Sequence, residues 1–311
     1  MKEKIIIIVG PTAVGKTNLS LSLAKKFNGE IISGDSMQIY KGLDIGTAKA
    51  TNDERKEVTH YLIDEIDPSE NYTVADFKSK AKKLIHDITA KGKVPIIVGG
   101  TGLYIESLLY NVSHGGQAEP NLTYRNSLEA FAEQNGKDKL WEKLQSIDPK
   151  AAESIHYNNT RRVIRALEVY HSTGRLFSSL QMEKSEKEKL YDAYVVGLTT
   201  DRSLLYERIN QRVDLMLQQG LIEEVKTLLE TVPITAQSVK GIGYKEFIPY
   251  FENCIDLESA TEQIKQNSRR YAKRQLTWFR NRLEISSWWD LVQVPEQQKE
   301  LENKIENFLR M

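Results

Sequence analysis

The stretch that most constrains this chain is its beginning, where the sequence indicates a strand, a glycine-rich loop and a helix in that order. Ile5–Gly10 reads IIIIVG, a short apolar strand, and it runs directly into GPTAVGKT at Gly10–Thr17. Apolar residues at helical spacing follow. This context makes a G-x-x-x-x-G-K-[ST] match a P-loop prediction. Backbone N–H groups and a helix N-terminus bind phosphate in such a loop, which predicts a di- or triphosphate site made by Gly10, Pro11, Thr12, Ala13, Val14, Gly15, Lys16 and Thr17.

Two side chains of this loop add chemistry of their own. Lys16 supplies a mobile cation for phosphate oxygens, and the Thr17 hydroxyl can ligate Mg²⁺, which we therefore expect as a cofactor. A tight turn that binds nothing is the competing interpretation, and the strand and helix on either side of the motif argue against it. ATP-binding proteins share the motif, so the loop alone does not say what happens to the phosphate groups.

Length and amino-acid composition limit the classes of protein to which this chain can belong. The 311 residues, 40% of them hydrophobic, are enough for one large or two modest domains with a sizeable core. The formal net charge is zero, so a preference for nucleic acid has to come from local clusters of charge. Cys254 is the one cysteine, which excludes a disulfide framework or a cysteine zinc site within one chain. The N-terminal apolar run is too short for a signal peptide or a membrane span, so we expect a cytoplasmic protein with no membrane association.

Strand and helix signals alternate along the first part of the chain. His60–Ile66 is a candidate short strand, and Thr73 is a candidate N-cap of the helix after it. Strand character returns near residue 194, after which Asp201 can cap another helix, and a long helix is expected over Asp256–Asn281. Repeated strand–helix units of this kind form a parallel sheet with its ligands at the carboxyl ends of the strands.

Between these two parts the sequence changes character and reads as helices with polar surfaces. We therefore predict an α/β fold in which a P-loop NTPase-like parallel sheet is flanked by helices and carries an all-helical insertion domain. The predicted boundaries are residues 1–111 and 191–311 for the catalytic core and residues 112–190 for the insertion.

Two loops after predicted strands carry candidate site residues. Asp35 follows the second strand, in GDSMQIY, and should face whatever lies next to the bound phosphate. A carboxylate there can act as a general base or as a metal ligand through water, and the alternative is a turn in which Asp35 accepts a hydrogen bond from its own backbone. Thr101, in VGGTGLY, begins a helix where two glycines let the backbone approach a ligand; an ordinary N-cap is the alternative.

Basic residues are unevenly distributed. Lys265–Arg282 contains seven cations and no acid, with Tyr271, Trp278 and Phe279 interleaved. A second cluster, at one end of a helix in the insertion, consists of Arg161, Arg162 and Arg165. A charge run is commonly just a solvated face, but two such clusters in a chain of zero net charge favour an RNA-binding surface, since arginine suits phosphate recognition and base stacking.

The order of the motifs resembles a known family. GPTAVGKT, GDSMQIYKGLDIGTAK, VGGTGLY, RRVIRALEVY, KGIGYKE and YAKRQLTWFR are similar, over about residues 4 to 290, to the bacterial tRNA dimethylallyltransferases, also called tRNA isopentenyltransferases. The resemblance implies transfer of a dimethylallyl group from dimethylallyl diphosphate to N6 of adenine 37, beside the tRNA anticodon. It also implies that the P-loop binds an isoprenoid diphosphate and that ATP is not the substrate.

Roles for individual residues follow from the resemblance. Lys16, Thr17 and Arg212 would bind the diphosphate and its Mg²⁺, and Asp35 would accept a proton from the adenine amine. The base has to be flipped out of the anticodon loop to reach these groups. The positions that match the family's tRNA contacts are Asp35, Ser36, Met37, Gln38, Thr101, Thr123, Arg125, Asn159, Thr160, Arg161, Arg162, Val163, Lys240, Gly241, Ile242, Gly243, Tyr244, Lys245, Lys273, Arg274, Gln275, Trp278 and Arg280.

Three other functions are compatible with parts of the sequence. A P-loop small-molecule kinase explains the P-loop and Asp35 but leaves the basic helices unused. An adenylate isopentenyltransferase, which prenylates free AMP, ADP or ATP, needs neither the insertion nor the basic surface. A non-catalytic RNA-binding protein could use the P-loop as a switch. We expect a monomer, because an asymmetric RNA channel needs no partner subunit, and no structural zinc.

Overall fold

The structure is a computed structural model that describes residues 2–110, 121–182 and 188–311. The chain forms two compact units. The first, which we call the core unit, consists of Met1–Leu109 and Leu190–Met311, and the second, the helical unit, consists of Tyr110–Lys189. The assignment of residues 112–190 as a tRNA-binding domain stays a prediction.

The core unit is built on one six-stranded sheet. Its strands are β1 (Lys4–Val9), β2 (Gly29–Ser33), β3 (His60–Tyr61), β4 (Val94–Gly99), β5 (Asp192–Leu198) and β6 (Ser287–Trp289). Their spatial order is β3-β2-β4-β1-β5-β6, and every pairing is parallel. Ile5–Val9 of β1 is completely buried, as expected of a central parallel strand covered by helices on both faces. The predicted fold class is confirmed.

Helices cover the sheet and make up the helical unit. Within the described residues they are α1 (Lys16–Lys26), α2 (Asn52–Glu57), α3 (Val74–Ala90), α4 (Gly102–Leu109), α5 (Leu122–Asn135), α6 (Lys137–Ile147), α7 (Pro149–Ser154), α8 (Thr160–Thr173), α9 (Phe177–Met182), α10 (Arg202–Gln218), α11 (Leu221–Thr231), α12 (Ile248–Phe251), α13 (Leu257–Arg282) and α14 (Gln297–Arg310). In the parts of the chain that the structure describes, no helix has the length and apolar character needed to cross a membrane.

Local sequence signals account for where several helices begin. Thr73 caps α3 by accepting a hydrogen bond from the N–H of Asp76, whose carboxylate accepts from the N–H of Thr73. Asp201 caps α10 and Asp256 caps α13 through their side chains. The three predicted N-termini are therefore confirmed. Each cap is a hydrogen bond to a residue at most three positions along the chain, so the local sequence is enough to predict it.

The strand predicted at His60–Ile66 is wrong beyond its second residue. β3 ends at Tyr61, because Leu62 and Asp64 adopt φ values of 60° and 56°. These left-handed conformations reverse the chain and cannot continue a strand. Ile66 nevertheless returns to the sheet region and forms an isolated parallel bridge with Tyr40.

The helical unit has its own apolar core, in which Val163 is completely buried. A buried carboxylate, Glu168 of α8, lies beside it and accepts hydrogen bonds from Arg125 at 2.8 and 3.0 Å and from Arg165 at 2.7 Å. Burial raises the pKa of Glu168, but the two arginines outweigh that effect and the net pKa is lowered. Arg125 and Arg165 therefore neutralise a charge inside this unit.

Candidate active site

The P-loop connects the end of β1 to the start of α1 in a tight turn. A Cβ at Gly10 would lie 2.8 Å from the carbonyl oxygen of Leu198, so no other residue fits there. Gly15, with φ 98°, precedes the first residue of α1 in the left-handed region that glycine occupies readily. The Nζ of Lys16 donates to the carbonyl oxygens of Gly10 at 3.0 Å and Pro11 at 2.7 Å. The lysine therefore lies over the loop whose phosphate it is predicted to bind.

Asp35 lies on the same cavity as the P-loop, although the two do not follow neighbouring strands. β4 separates β1 from β2 in the sheet. Parallel strands end at one edge of the sheet, however, and the cavity there has a volume of about 660 Å³. The predicted site residues that line it are Thr12, Ala13, Val14, Gly15, Lys16, Thr17, Asp35, Ser36, Met37, Gln38, Arg212, Gly241, Ile242, Gly243, Tyr244 and Gln275.

The loop after β2 holds the Asp35 carboxylate in place. Oδ1 of Asp35 accepts a hydrogen bond from the N–H of Met37 at 2.9 Å, which is the turn interaction considered as an alternative role. Among the described residues, Oδ2 has no hydrogen-bond partner. The N–H of Ser36, the residue directly after Asp35, donates to Oγ1 of Thr101 at 3.0 Å. Asp35 can therefore support the turn with one oxygen and face a ligand with the other.

The electrostatic balance of the cavity favours an anion. Burial and, to a smaller extent, the nearby charge of Arg212 lower the pKa of Lys16 to about 7, and Asp35 opposes both effects. Burial likewise lowers the pKa of Arg212, with Asp35 again opposing, although a guanidinium keeps its proton. In the described part of the chain, no carboxylate forms an ion pair with Arg212. Two cations with depressed pKa values and one carboxylate make a site that a diphosphate would complete.

A second loop lines the cavity and is held by Glu224 of α11. The Glu224 carboxylate accepts hydrogen bonds from the N–H groups of Asp44, Ile45 and Gly46 at 2.8 to 2.9 Å, and from the hydroxyl of Tyr244 at 2.8 Å. Tyr244 is fully buried and packs so closely that a Cβ at Gly46 would lie 2.6 Å from its ring. Glu224 thus joins the GLDIGTAK stretch to the KGIGYK stretch, both of which line the cavity.

The oxygen atoms available in the cavity suit Mg²⁺. Thr17 and Asp35 both line it and offer a hydroxyl and a carboxylate oxygen. No group of three or more His, Cys, Asp or Glu side chains that could hold a metal ion occurs among the described residues. This arrangement fits Mg²⁺ because that ion binds few protein ligands and is held largely by substrate phosphates.

One face of α13 carries a basic groove with a volume of about 570 Å³. Among the described residues, Arg270, Lys273 and Arg274 in this groove have no ion-pair partner. The charged stretch predicted as one RNA surface is in fact divided, since Lys265 pairs with Asp214 at 2.7 Å, Arg269 donates to Asn210 at 2.6 Å, and Arg280 lies over the Trp288 ring. The side chains that line the groove are Arg270, Lys273, Arg274, Thr277, Trp278, Asn281 and Arg282.

Other predicted tRNA contacts lie away from the two cavities. Lys240 and Lys245, at the two ends of the KGIGYK stretch, are exposed. In the helical unit, the exposed predicted contacts are Thr123, Asn159, Arg161 and Arg162. Thr160 is partly buried at the start of α8. Two predictions do not fit the structure: the Val163 side chain lies inside the apolar core, and the Arg125 guanidinium is bound to Glu168.

Sequence reasoning missed several residues that line the main cavity. Arg208 lies four residues before Arg212 on α10, and its Nε donates to the carbonyl oxygen of Ala13 at 2.9 Å. Residues four apart share a helix face, so the position of Arg212 could have identified it. Ser268, Tyr271 and the loop at Gly46–Ala48 also line the cavity.

Together, the parallel six-stranded sheet and the flanking helices define an α/β protein with a P-loop NTPase-like fold. The IPP transferase family model matches residues 38–282. The chain is 55% identical over 309 residues to the tRNA dimethylallyltransferase of Enterococcus faecalis, which covers 99% of this chain and 98% of that one. It therefore belongs to the IPP transferase family.

Solved structures agree with this assignment. The full-length tRNA isopentenylpyrophosphate transferase from Bacillus halodurans is 48% identical with a TM-score of 0.74, and the match covers 99% of this chain and 97% of that one. A eukaryotic dimethylallyltransferase acting on tRNA is 35% identical with a TM-score of 0.77, over 89% of this chain and 70% of its own.

Proposed function

We propose that this protein transfers the dimethylallyl group of dimethylallyl diphosphate to N6 of adenine 37 in tRNA, forming N6-(dimethylallyl)adenosine and releasing diphosphate. The observation that carries the proposal is the single cavity in which the P-loop, Lys16, Arg212 and Asp35 come together. It pairs a cationic site for a leaving diphosphate with a carboxylate that can receive a proton. Apolar side chains that line the same cavity, including Met216 and Ile242, suit a prenyl group.

Catalysis in this cavity consists of stabilising the leaving group. As the allylic C–O bond breaks, negative charge grows on the diphosphate, and Lys16, Arg212 and the P-loop N–H groups lie where they can stabilise it. Mg²⁺ held by Thr17, and by Asp35 through water, would neutralise further charge on the phosphate oxygens. Oδ2 of Asp35 takes the proton that N6 of adenine loses when it bonds to the allylic carbon.

The acceptor is RNA rather than a free nucleotide. Arg270, Lys273 and Arg274 form a basic surface on α13 with no ion-pair partner among the described residues, and free AMP would leave these charges unused. In the helical unit, Arg161 and Arg162 lie in the first turn of α8, where cations are unfavourable next to the positive end of the helix dipole. An RNA phosphate would relieve that repulsion. Adenine 37 has to leave its stack in the anticodon loop to reach Asp35.

A transfer assay tests this proposal. Purified protein is incubated with labelled dimethylallyl diphosphate, Mg²⁺ and either a tRNA anticodon stem-loop with adenine at positions 36 and 37 or free AMP. We expect label on the stem-loop only. Label on AMP alone would make the protein an adenylate isopentenyltransferase, and ATP turnover without label would make it a kinase.

Asp35→Ala separates catalysis from binding. We expect the substitution to lower turnover about 10²-fold or more, as for loss of a positioned base, with little change in tRNA affinity. Unchanged turnover would remove Asp35 from the mechanism. A cytoplasmic location and a monomeric state remain predictions, and gel filtration with light scattering tests the second.

A further inference from the structure

Gln275 is an amide on the buried face of the basic helix α13. Its side chain is 4% exposed, and both of its polar ends are bonded within the protein. Oε1 accepts a hydrogen bond from the N–H of Thr12 at 2.9 Å, and Nε2 donates to the carbonyl oxygen of Gly100 at 3.0 Å. One side chain therefore joins α13, the P-loop and the loop after β4.

The surroundings of this amide are shaped to receive it. A Cβ at Gly100 would lie 2.2 Å from Nε2 of Gln275, so only glycine leaves room for the bond. The hydroxyl of Tyr271, one turn earlier on α13, donates to the same Gly100 carbonyl at 3.4 Å. Both polar ends of this side chain are therefore engaged within the protein, a role different from the tRNA contact predicted for it from sequence.

We propose that Gln275 is a positioning residue for the diphosphate site. By taking up the Thr12 N–H, it fixes the beginning of the P-loop against α13 and the β4 loop. The residues that follow, Ala13–Thr17, line the cavity, where backbone N–H groups of such a loop can bind phosphate. The inference rests on the proposed function, in which this cavity binds an isoprenoid diphosphate.

Replacement of Gln275 by methionine tests the positioning role without creating a cavity in the packing. Gln275→Met keeps the length of the side chain, leaves the Thr12 N–H unpaired, and leaves the Gly100 carbonyl with the longer bond from Tyr271. We expect KM for dimethylallyl diphosphate to rise about tenfold or more, since a buried unpaired group disfavours the arrangement that needs it, while the Kd for tRNA changes less than about twofold. Gln266→Met is the matched control, because Gln266 is exposed on the same helix and should change neither quantity.

Gln275→Glu supplies a second variant with a pH-dependent readout. A protonated carboxyl can accept from Thr12 and donate to Gly100 as the amide does, whereas the ionised form cannot donate. Burial raises a carboxyl pKa, so the KM of this variant relative to the wild type should fall as the pH is lowered from about 8 to about 6. The titratable groups around the cavity, Lys16, Asp35 and Tyr271, are common to all variants, so ratios to the wild type remove their contribution.

The outcomes separate this inference from the proposed function. Failure of the wild type to bind dimethylallyl diphosphate would reject the proposed function itself. Binding by the wild type together with an unchanged KM in Gln275→Met would reject the positioning role. A loss of tRNA affinity with unchanged KM would assign Gln275 to the RNA surface, which also overturns the inference. Thermal unfolding of each variant checks that the fold is retained.

Discussion

The depressed pKa of Lys16 makes a quantitative prediction about how diphosphate affinity depends on pH. In the free protein this pKa is about 7, chiefly because the ammonium is buried, with Arg212 adding to the effect. A bound diphosphate favours the charged form, so the pKa must rise on binding and a proton must be taken up. Affinity is therefore highest well below pH 7 and falls as the pH rises through that value.

The magnitude follows from the fraction of free protein in which Lys16 is charged. That fraction is about one half at pH 7 and about one in a hundred at pH 9, so the Kd for dimethylallyl diphosphate should rise about 50-fold over this range. The outer phosphate group loses its last proton near pH 6, so the charge of the ligand is nearly constant. Arg212 keeps its proton throughout.

Titration calorimetry without metal measures both consequences. Kd is determined at several pH values, and the heats in buffers of different ionisation enthalpy give the proton uptake, which should be about half a proton at pH 7. Lys16→Arg is the matched control: its side chain is charged across the range, so its Kd should not depend on pH, whatever its absolute affinity. A wild-type Kd that is constant between pH 7 and 9, or an equal slope in the arginine variant, would refute the argument.

Three further substitutions test other parts of the site. In Glu224→Gln the side chain can no longer accept all four hydrogen bonds that hold the second loop. The free energy of unfolding measured in urea should therefore fall by about 1 to 3 kcal/mol. Glu223→Gln, at the exposed neighbouring position, is the control and should leave that free energy unchanged. Glu168→Gln removes the carboxylate that two partly exposed arginines bind and should cost about 1 to 3 kcal/mol of stability. Because the pKa of Glu168 is lowered, its contribution in the wild type is present above the ordinary glutamate pKa and is lost as the pH falls through the lowered value. Arg274→Ala should weaken tRNA binding and reduce the slope of log K against log salt by about 1, with KM for dimethylallyl diphosphate unchanged; equal loss of both would contradict its place on the RNA surface.

Features that depend on nearby residues were predictable from the sequence. The P-loop is specified by a strand, a loop and a helix that adjoin one another, and Thr73, Asp201 and Asp256 cap helices through bonds within three residues. The prediction of a strand over His60–Ile66 was wrong because the nearby residues give no sign of where the strand ends. Its left-handed residues include Leu62, a type that seldom adopts that conformation, so the local sequence contains no turn signal there.

Asp35 illustrates what sequence could establish about the site and what it could not. Its position after a strand of a parallel sheet predicted that it would reach the phosphate cavity, and it lines that cavity even though β4 intervenes. Sequence could not decide whether Asp35 is a turn residue or a catalytic base. A carboxylate has two oxygens and can fill both roles at once, one with each oxygen. Oδ1 accepts the hydrogen bond of the turn, and Oδ2, which has no hydrogen-bond partner among the described residues, can face a ligand.

The basic helix α13 shows how a charge pattern can be refined by helix geometry. Counted along the chain, its cations form one run, but the groove is lined by Arg270, Lys273, Arg274, Thr277 and Trp278, which recur at three and four residues. Gln275 lies four residues after Tyr271, on the opposite, buried face. A polar residue on the apolar face of an otherwise basic helix has to find partners inside the protein, since an unpaired buried amide is costly. Helical periodicity therefore separates Gln275 from the RNA-binding side chains next to it, a distinction that proximity within a motif does not make.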